Sequence, residues 1–253
     1  MSENKISVVI NTYNACEFLY QVLDSVKGFD EIVVCDMEST DNTLDIARQY
    51  NAKTVIFPRG EYNIVEHARN FAISHASYKY ILVVDADELV TRELHDYLYS
   101  MINSANCPQG LAIPRKNKFM GKFGKEKTED YQLRFFIKQG TFWPEHIHSV
   151  PQVQGTVKRI PNTLKNVMFI HLAQENLHQR LEKINRYTDN EVSKKADRNF
   201  SAAALFYRPA WFFFRSYILK QQYRNSVRGL IKAFMDATYQ FFIVAKIIEE
   251  RLK

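Results

Sequence analysis

The run Tyr80-Ile81-Leu82-Val83-Val84 is continuously apolar and stops abruptly in Asp85-Ala86-Asp87-Glu88. A run of this length without polar alternation reads as a strand buried on both faces, which requires helices above and below a sheet. The carboxyl end of such a strand is where open α/β folds hold their ligands. Three carboxylates within four residues repel one another unless a cation joins them. Hard divalent ions such as Mg²⁺ or Mn²⁺ favour oxygen ligands of this kind. An isolated Asp-x-Asp is also a common solvated turn, with Asp87 or Thr91 capping a helix that starts near Arg92.

The preceding residues repeat the same grammar. Ile6 to Ile10 is an apolar strand followed by the loop Asn11-Thr12-Tyr13-Asn14, and Phe18, Val22, Leu23 and Val26 then recur at helical spacing. Glu31 to Cys35 gives a second strand ending at Asp36, and Ser39-Thr40-Asp41-Asn42 supplies N-cap chemistry for the helix after it. Thr54 to Phe57 is a short strand stopped by Pro58. Asn63 and Glu66 have the spacing of a capping box at the head of a third helix. Repeated β-α units predict a parallel sheet with right-handed crossovers. Neither Gly-x-Gly-x-x-Gly nor a Walker-type Gly-Lys-Ser/Thr follows the first strand, so dinucleotide and P-loop sites are unsupported.

Beyond Gly110 the pattern changes. Leu111 to Pro114 and Tyr131 to Ile137 read as strands around a lysine-rich stretch, Arg115 to Lys127, whose Gly121 and Gly124 predict a mobile loop. Val167 to Leu172 is a further strand, and the remainder reads as helix with a break at Pro209. Three dispersed cysteines argue for a reducing compartment rather than a disulfide framework. The polar start lacks a signal-peptide layout, and Phe241 to Ile248 is too short, and too interrupted by Lys246, to span a membrane. Residues 1–155 carry 16 Lys+Arg against 20 Asp+Glu, whereas residues 156–253 carry 18 against 8. A basic C-terminal part implies either an anionic partner or a solvated face.

Thr12-Tyr13-Asn14, Asp36 and Asp85-Ala86-Asp87 all fall at carboxyl ends of expected parallel strands and therefore at one rim of the sheet. Asp36 can accept hydrogen bonds from a base or ribose, or serve as a turn residue. Arg69, on the helix before the acidic strand, can pair with a phosphate or with a nearby carboxylate. His148 and His171 can each supply an imidazole to a metal or to a leaving phosphate, or be satisfied structural histidines; His171, inside an apolar run, is the preferred ligand.

Ser7-Val8-Val9-Ile10-Asn11-Thr12-Tyr13-Asn14, Val34-Cys35-Asp36-Met37-Glu38-Ser39-Thr40-Asp41-Asn42-Thr43, Ala68-Arg69-Asn70 and Val84-Asp85-Ala86-Asp87-Glu88 occur in this order. Together they resemble the successive signatures of family 2 glycosyltransferases, which have a GT-A fold. Further segments, Asp130 to Phe136, Ile147-His148, Ile170-His171-Leu172 and Leu181 to Tyr187, resemble the branch containing the bacterial lipopolysaccharide-core β-glucosyltransferases. The resemblance implies a nucleoside diphosphate sugar donor, most often UDP-linked, held by Thr12, Tyr13, Asp36 and Arg69, with Asp87 and Asp85 serving a metal. Glu129-Asp130 resembles the family's base motif, so Asp130 is the first choice for deprotonating the acceptor, the competing reading being an ion pair with Arg134. Where the branch commonly has Glu after the histidine corresponding to His148, this chain has Ser149, which leaves Glu145 or Asp130 to substitute.

The expected architecture is an α/β, GT-A-like, Rossmann-type, mostly parallel sheet flanked by helices (residues 1–174), with a basic amphipathic helical extension (residues 175–253). In the extension, Pro209 to Tyr217 sets aromatics beside arginines, and Arg224, Arg228, Lys232 and Lys246 surround an apolar stripe. That pattern suits an anionic membrane interface or a packed helical hairpin. The expected activity is metal-dependent inverting transfer to a glycan or lipid-linked acceptor such as lipopolysaccharide core, in the cytoplasm or on the cytoplasmic face of the inner membrane, without nucleic acid as partner. Its rivals are a non-catalytic sugar-nucleotide-binding protein on the same fold and a sugar-phosphate nucleotidyltransferase. The latter usually has a glycine-rich basic loop after the first strand, absent here.

Overall fold

The computed structural model of the chain describes residues 4–60, 65–124, 130–145, 149–173, 177–194 and 198–252. They form two compact units, Met1–Lys116 with Thr128–Leu172, and Asn117–Lys127 with Ala173–Lys253.

In the first unit the expected alternation is present. β1 (Ile6–Thr12), β2 (Glu31–Asp36), β3 (Lys53–Ile56) and β4 (Tyr80–Asp85) are interleaved with α1 (Cys16–Val26), α2 (Thr43–Gln49) and α3 (Glu66–Ser74). β5 (Glu88–Val90) and α4 (Arg92–Ile102) follow, then β6 (Gly110–Phe119), β7 (Lys122–Phe123), β8 (Tyr131–Ile137), β9 (Thr141–Phe142), β10 (Gln152–Val153), β11 (Val157–Arg159) and β12 (Phe169–His171). The main sheet runs β3-β2-β1-β4-β8-β6-β12-β5. Its first four strands are parallel, and β8 lies antiparallel to both β4 and β6. The chain builds outward from β1 through β2 to β3, then returns to place β4 on the other side of β1. That reversal opens a crevice at the carboxyl ends of β1 and β4.

Burial explains why these strands lack polar alternation. All of β1 is buried. Ile6, Val8, Ile10, Leu82 and Val84 face α1 and α4, while Val9, Val33, Ile81 and Val83 face Ala68, Ala72 and Ile73 of α3. Each such side chain contributes about 1.5–3 kcal/mol on leaving water. Thr91 caps α4, its hydroxyl accepting from the Leu94 amide at 3.3 Å.

Two expectations in this region are corrected. α3 starts at Glu66 with Val65 as an N-cap that makes no side-chain bond, so Glu66 is not the third residue of a capping box; Asn63 lies outside the described residues. The lysine-rich stretch is not simply a loop. β6 continues to Phe119 and returns as β7 through Met120 and Gly121, whose φ values of 48° and 80° suit a two-residue hairpin turn.

The second unit holds α5 (Leu177–Lys194), α6 (Ala204–Phe214) and α7 (Ser226–Leu252). Phe200 and Ala204 pack against Ile243, Val244 and Ile247 of α7. Contrary to expectation, α6 runs through Pro209, forfeiting only the bond that its missing N–H would make to Leu205. The chain turns instead at Gln221, which takes left-handed dihedrals (φ 57°) after a widened turn at Arg215–Leu219. Lys246, expected on the basic fringe of the apolar stripe, points into α5. Its ammonium donates to Asn185, Thr188 and Asp189 at 2.6–3.0 Å.

Candidate active site

The register of β1 against its neighbours sets Thr12 opposite Asp36 and Asn11 opposite Asp85. Three polar strand ends thereby meet at one rim. A cleft of about 530 Å³ opens there, lined by Thr12, Tyr13 and Asn14 from the first loop, Arg59 and Arg69, and Asp85, Asp87 and His171.

The loop after β1 is held from beneath. Asp36 is fully buried and does not line the cleft. Its carboxylate accepts from the Thr12 hydroxyl at 2.8 Å, the Ser39 amide at 2.8 Å and the Ser39 hydroxyl at 2.6 Å. Asn14 takes φ 46°, a conformation its type tolerates, and its side-chain oxygen accepts from the Thr40 amide at 2.8 Å. These bonds tie the loops after β1 and β2 into one ledge. Above it, the Arg59 guanidinium lies 3.7 Å from the centre of the Tyr13 ring. Arg59 was not among the expected site residues. Its signal was its place in Pro58-Arg59-Gly60, just past β3 and on the same rim.

Asp85 is the anchor of an ion network. Its two oxygens accept separately from Arg69 at 2.7 Å and Arg134 at 2.8 Å. Both guanidinium groups lie over the buried Trp143 indole, at 4.7 and 5.1 Å. Asn70 fixes Trp143 by bonding both its amide and its carbonyl, at 2.9 and 2.7 Å. Burial opposes ionisation of Asp85, but Arg134 and Arg69 overcome it and hold the carboxyl well below the usual carboxylate range. Glu88, which is fully buried, is pushed up by burial and by the Asp85 charge, against Arg134 and Arg115. Among the described residues, Nε and Nη1 of Arg69 have no hydrogen-bond partner.

Asp87 and His171, 84 residues apart, meet with Oδ2 and Nε2 at 3.1 Å. The antiparallel pairing of β5 with β12 sets His171 opposite Glu88, and the Leu172 amide donates to the Asp87 carbonyl at 2.7 Å. The hydrogen bond to Asp87 raises the imidazole above its ordinary value, against partial burial. Among the described residues no group of three or more His, Cys, Asp or Glu side chains forms a complete metal cage. A carboxylate with one imidazole nonetheless fits Mg²⁺ or Mn²⁺, which commonly keep water and take substrate phosphates as remaining ligands. Asp85 differs from Asp87: both its oxygens already face arginines.

The expected bases stand apart from the cleft lining. Asp130 pairs with Arg115 at 2.8 Å rather than with Arg134, and accepts from Gln132 at 2.7 Å. Arg115 also holds Glu88 at 2.9 Å, which links Asp130 to the acidic strand end. Glu145 is exposed and pairs with His67 at 3.1 Å. Ser149 donates its hydroxyl to the Pro144 carbonyl, and Ile147 and His148 lie outside the described residues.

The chain is similar to known proteins. An uncharacterised glycosyltransferase of Rickettsia typhi is 25% identical over 98% of this chain and 88% of its own. The lipopolysaccharide core biosynthesis glycosyltransferase LpsC of Rhizobium meliloti is 22% identical over 96% of this chain and 92% of its own. A Pyrobaculum calidifontis mannosyltransferase, solved in complex with GDP-Man and Mn²⁺, superposes with a TM-score of 0.56 at 14% identity, covering 96% of this chain and 87% of that one. Residues 7–159 match the sequence profile of Glycosyl transferase family 2. The chain belongs to that family and is a glycosyltransferase with a GT-A fold.

Proposed function

We propose that the cleft binds a nucleoside diphosphate sugar, UDP-linked, and that the enzyme passes the sugar with inversion to a hydroxyl of a glycan or lipid-linked acceptor such as lipopolysaccharide core. The observation that carries this reading is the meeting of the Asp87–His171 pair with Arg69 in a cleft closed on its other side by Tyr13 and Arg59. Such a site offers an aromatic face for a nucleoside and cations for a diphosphate. The name of LpsC supports the choice of acceptor, and the metal in the mannosyltransferase complex supports a divalent ion.

Asp87 and His171 are the residues that would hold Mg²⁺ or Mn²⁺, which when bound stabilises the charge gathering on the departing diphosphate. Arg69 and Arg59 add fixed positive charge to the same group. Asp36 and Asn14 keep the Thr12-Tyr13 ledge in place, and Asp85 keeps Arg69 in place. Asp130 takes the proton from the acceptor hydroxyl, its carboxylate oriented by Arg115 and Gln132. Glu145 is the substitute for that role.

No helix among the described residues is long and apolar enough to cross a membrane. We infer that the helical unit lies in the plane of an anionic membrane surface. Phe206, Tyr207, Trp211 and Phe214 of α6 are exposed, and residues 198–248 carry 8 Lys+Arg against a single acid, Asp236. Basic helices with exposed aromatics favour that interface.

Four outcomes are expected. With Mn²⁺, UDP-sugars raise the melting temperature of the protein, and Asp87→Ala lowers turnover about 10²–10³-fold while the fold persists; undiminished metal-dependent turnover in that variant would reject the site. Asp130→Asn lowers kcat about 10²–10⁴-fold with little change in donor affinity, and Glu145→Gln has a small effect; the reverse ranking would transfer the role to Glu145. Asp85→Asn leaves two buried guanidinium groups short of a counter-charge and costs about 3 kcal/mol at pH 7, measured by urea unfolding. Because the folded-state value of Asp85 is depressed, that stabilisation exists above its unfolded-state value and fades as pH falls toward the folded one, so the difference between the two proteins narrows in acid. Finally, Trp211→Glu weakens sedimentation with phosphatidylglycerol-containing vesicles, and equal sedimentation of both proteins would remove the membrane reading.

A further inference from the structure

Among the described residues lining the cleft are three carboxylates, and two of them are engaged: Asp85 by Arg69 and Arg134, Asp87 by His171. The third belongs to Glu17, in the first turn of α1, which is exposed and makes no hydrogen bond or ion pair among the described residues. Its neighbour Phe18, half-buried, lines the same space. On the reading that the cleft holds a sugar nucleotide, we propose that Glu17 and Phe18 select the sugar to be transferred. Glu17 accepts hydrogen bonds from two vicinal hydroxyls of the hexose, and Phe18 lies against its C–H face.

The helix itself does not require Glu17. The loop from β2 to α2 already serves the amino end of α1: the Ala15 amide donates to the Thr43 hydroxyl at 2.8 Å and the Cys16 amide to the Asp41 carboxylate at 3.2 Å. Asp41 thereby supplies the negative charge that a helix dipole favours at this end. Nor does Glu17 belong to the metal position. Among the described residues, no third acidic or imidazole side chain joins Asp87 and His171 in a metal-holding group.

Position favours the hexose over the nucleoside. The sheet order β3-β2-β1-β4 puts Arg59, just past β3, on one side of β1 and Asp87, past β4, on the other. Phe18 and Ser25 share a face of α1, and the Ser25 hydroxyl accepts from the Val90 amide at 3.1 Å. That face therefore looks toward β5, which starts one residue after Asp87. A donor with its base at Tyr13 and its diphosphate at Asp87 and His171 carries its hexose past them, to the end flanked by α1. Electrostatics supplies the reason for a hydroxyl-binding role. Arg59 and Arg69 suit the cleft to an anion, and a carboxylate in the same space weakens diphosphate binding unless the ligand also brings donors to it. Vicinal hydroxyls are such donors, and a carboxylate accepts from both at once in charge-assisted bonds roughly twice as strong as neutral ones. An apolar wall beside a placed polar group is how small-ligand sites fix orientation.

Ribose also carries vicinal hydroxyls, and the probes separate it from the hexose. The full chain with Mn²⁺ is titrated by isothermal calorimetry with UDP, 2′-deoxy-UDP, UDP-glucose, UDP-galactose and UDP-N-acetylglucosamine. The hexose nucleotide that the parent binds most tightly is expected to lose about 10-fold or more in affinity in Glu17→Ala, and less in Glu17→Gln, which keeps one acceptor oxygen. UDP itself should change less than about twofold in both variants. Phe18→Leu is expected to weaken the same hexose nucleotide about threefold, and an unaltered affinity there would remove Phe18 from the contact. Equal weakening of UDP and its hexose forms in Glu17→Ala, with 2′-deoxy-UDP spared, would move the contact to the ribose and overturn the assignment to the sugar. Equal tightening of every nucleotide would make Glu17 a repulsive charge only, and unchanged affinities would make it a bystander; either result overturns the proposal. A parent that binds no UDP species would reject the donor reading of the cleft itself, so the two failures stay distinct.

Discussion

The carboxylate of Asp85, clasped between Arg69 and Arg134, is the interaction on which the catalytic unit is arranged. Arg69 comes from α3, Arg134 from β8 and Asp85 from the end of β4, so a single side chain joins a crossover helix, the parallel half of the sheet and its antiparallel half. Trp143 forms the floor for both guanidinium groups, and Asn70 holds Trp143 through two backbone bonds. Two cations this close are tolerated because one anion lies between them. Desolvation makes each member dependent on the others.

This arrangement divides the labour of the Asp-x-Asp motif. Asp85 ends a strand at the rim, where two guanidinium groups neutralise its charge. Asp87 lies beyond the strand, where the chain turns toward β5, and meets His171 across the β5–β12 pairing. Two residues of identical chemistry separated by a single alanine thereby differ in their partners: both line the cleft, but one is clasped by two arginines and the other meets an imidazole. A second network, Glu88–Arg115–Asp130, repeats the logic next to it and links the proposed base to the same strand end.

The C-terminal unit shows where helical periodicity misleads. Spacing assigned Lys246 to a basic rim, yet its position on α7 turns it toward acceptors on α5. Pro209 read as a break, yet a helix braced along α7 absorbs the loss of one ladder bond. The lysine-rich stretch read as a loop because glycines punctuate it, and Gly121 instead supplies the positive φ that lets β6 fold back as β7. In each case the local signal was real, and tertiary packing set its meaning.

Much of the catalytic unit was legible from residues alone. The apolar runs ending in Thr12, Asp36 and Asp85 encode buried parallel strands, and parallel strands align their carboxyl ends, so the rim of the cleft follows from local pattern and connectivity. Family signatures in the same order identified its chemistry. Only the tertiary structure decided which polar residues look into the cleft. Asp36 is buried beneath it, Asp85 lines it with both oxygens already held by arginines, and Asp87, His171 and Arg59 line it as well. Those outcomes depend on strand register and on pairings between segments far apart in the chain. A one-residue slip between β5 and β12 would turn His171 to the opposite face, and no local pattern in the chain specifies that register.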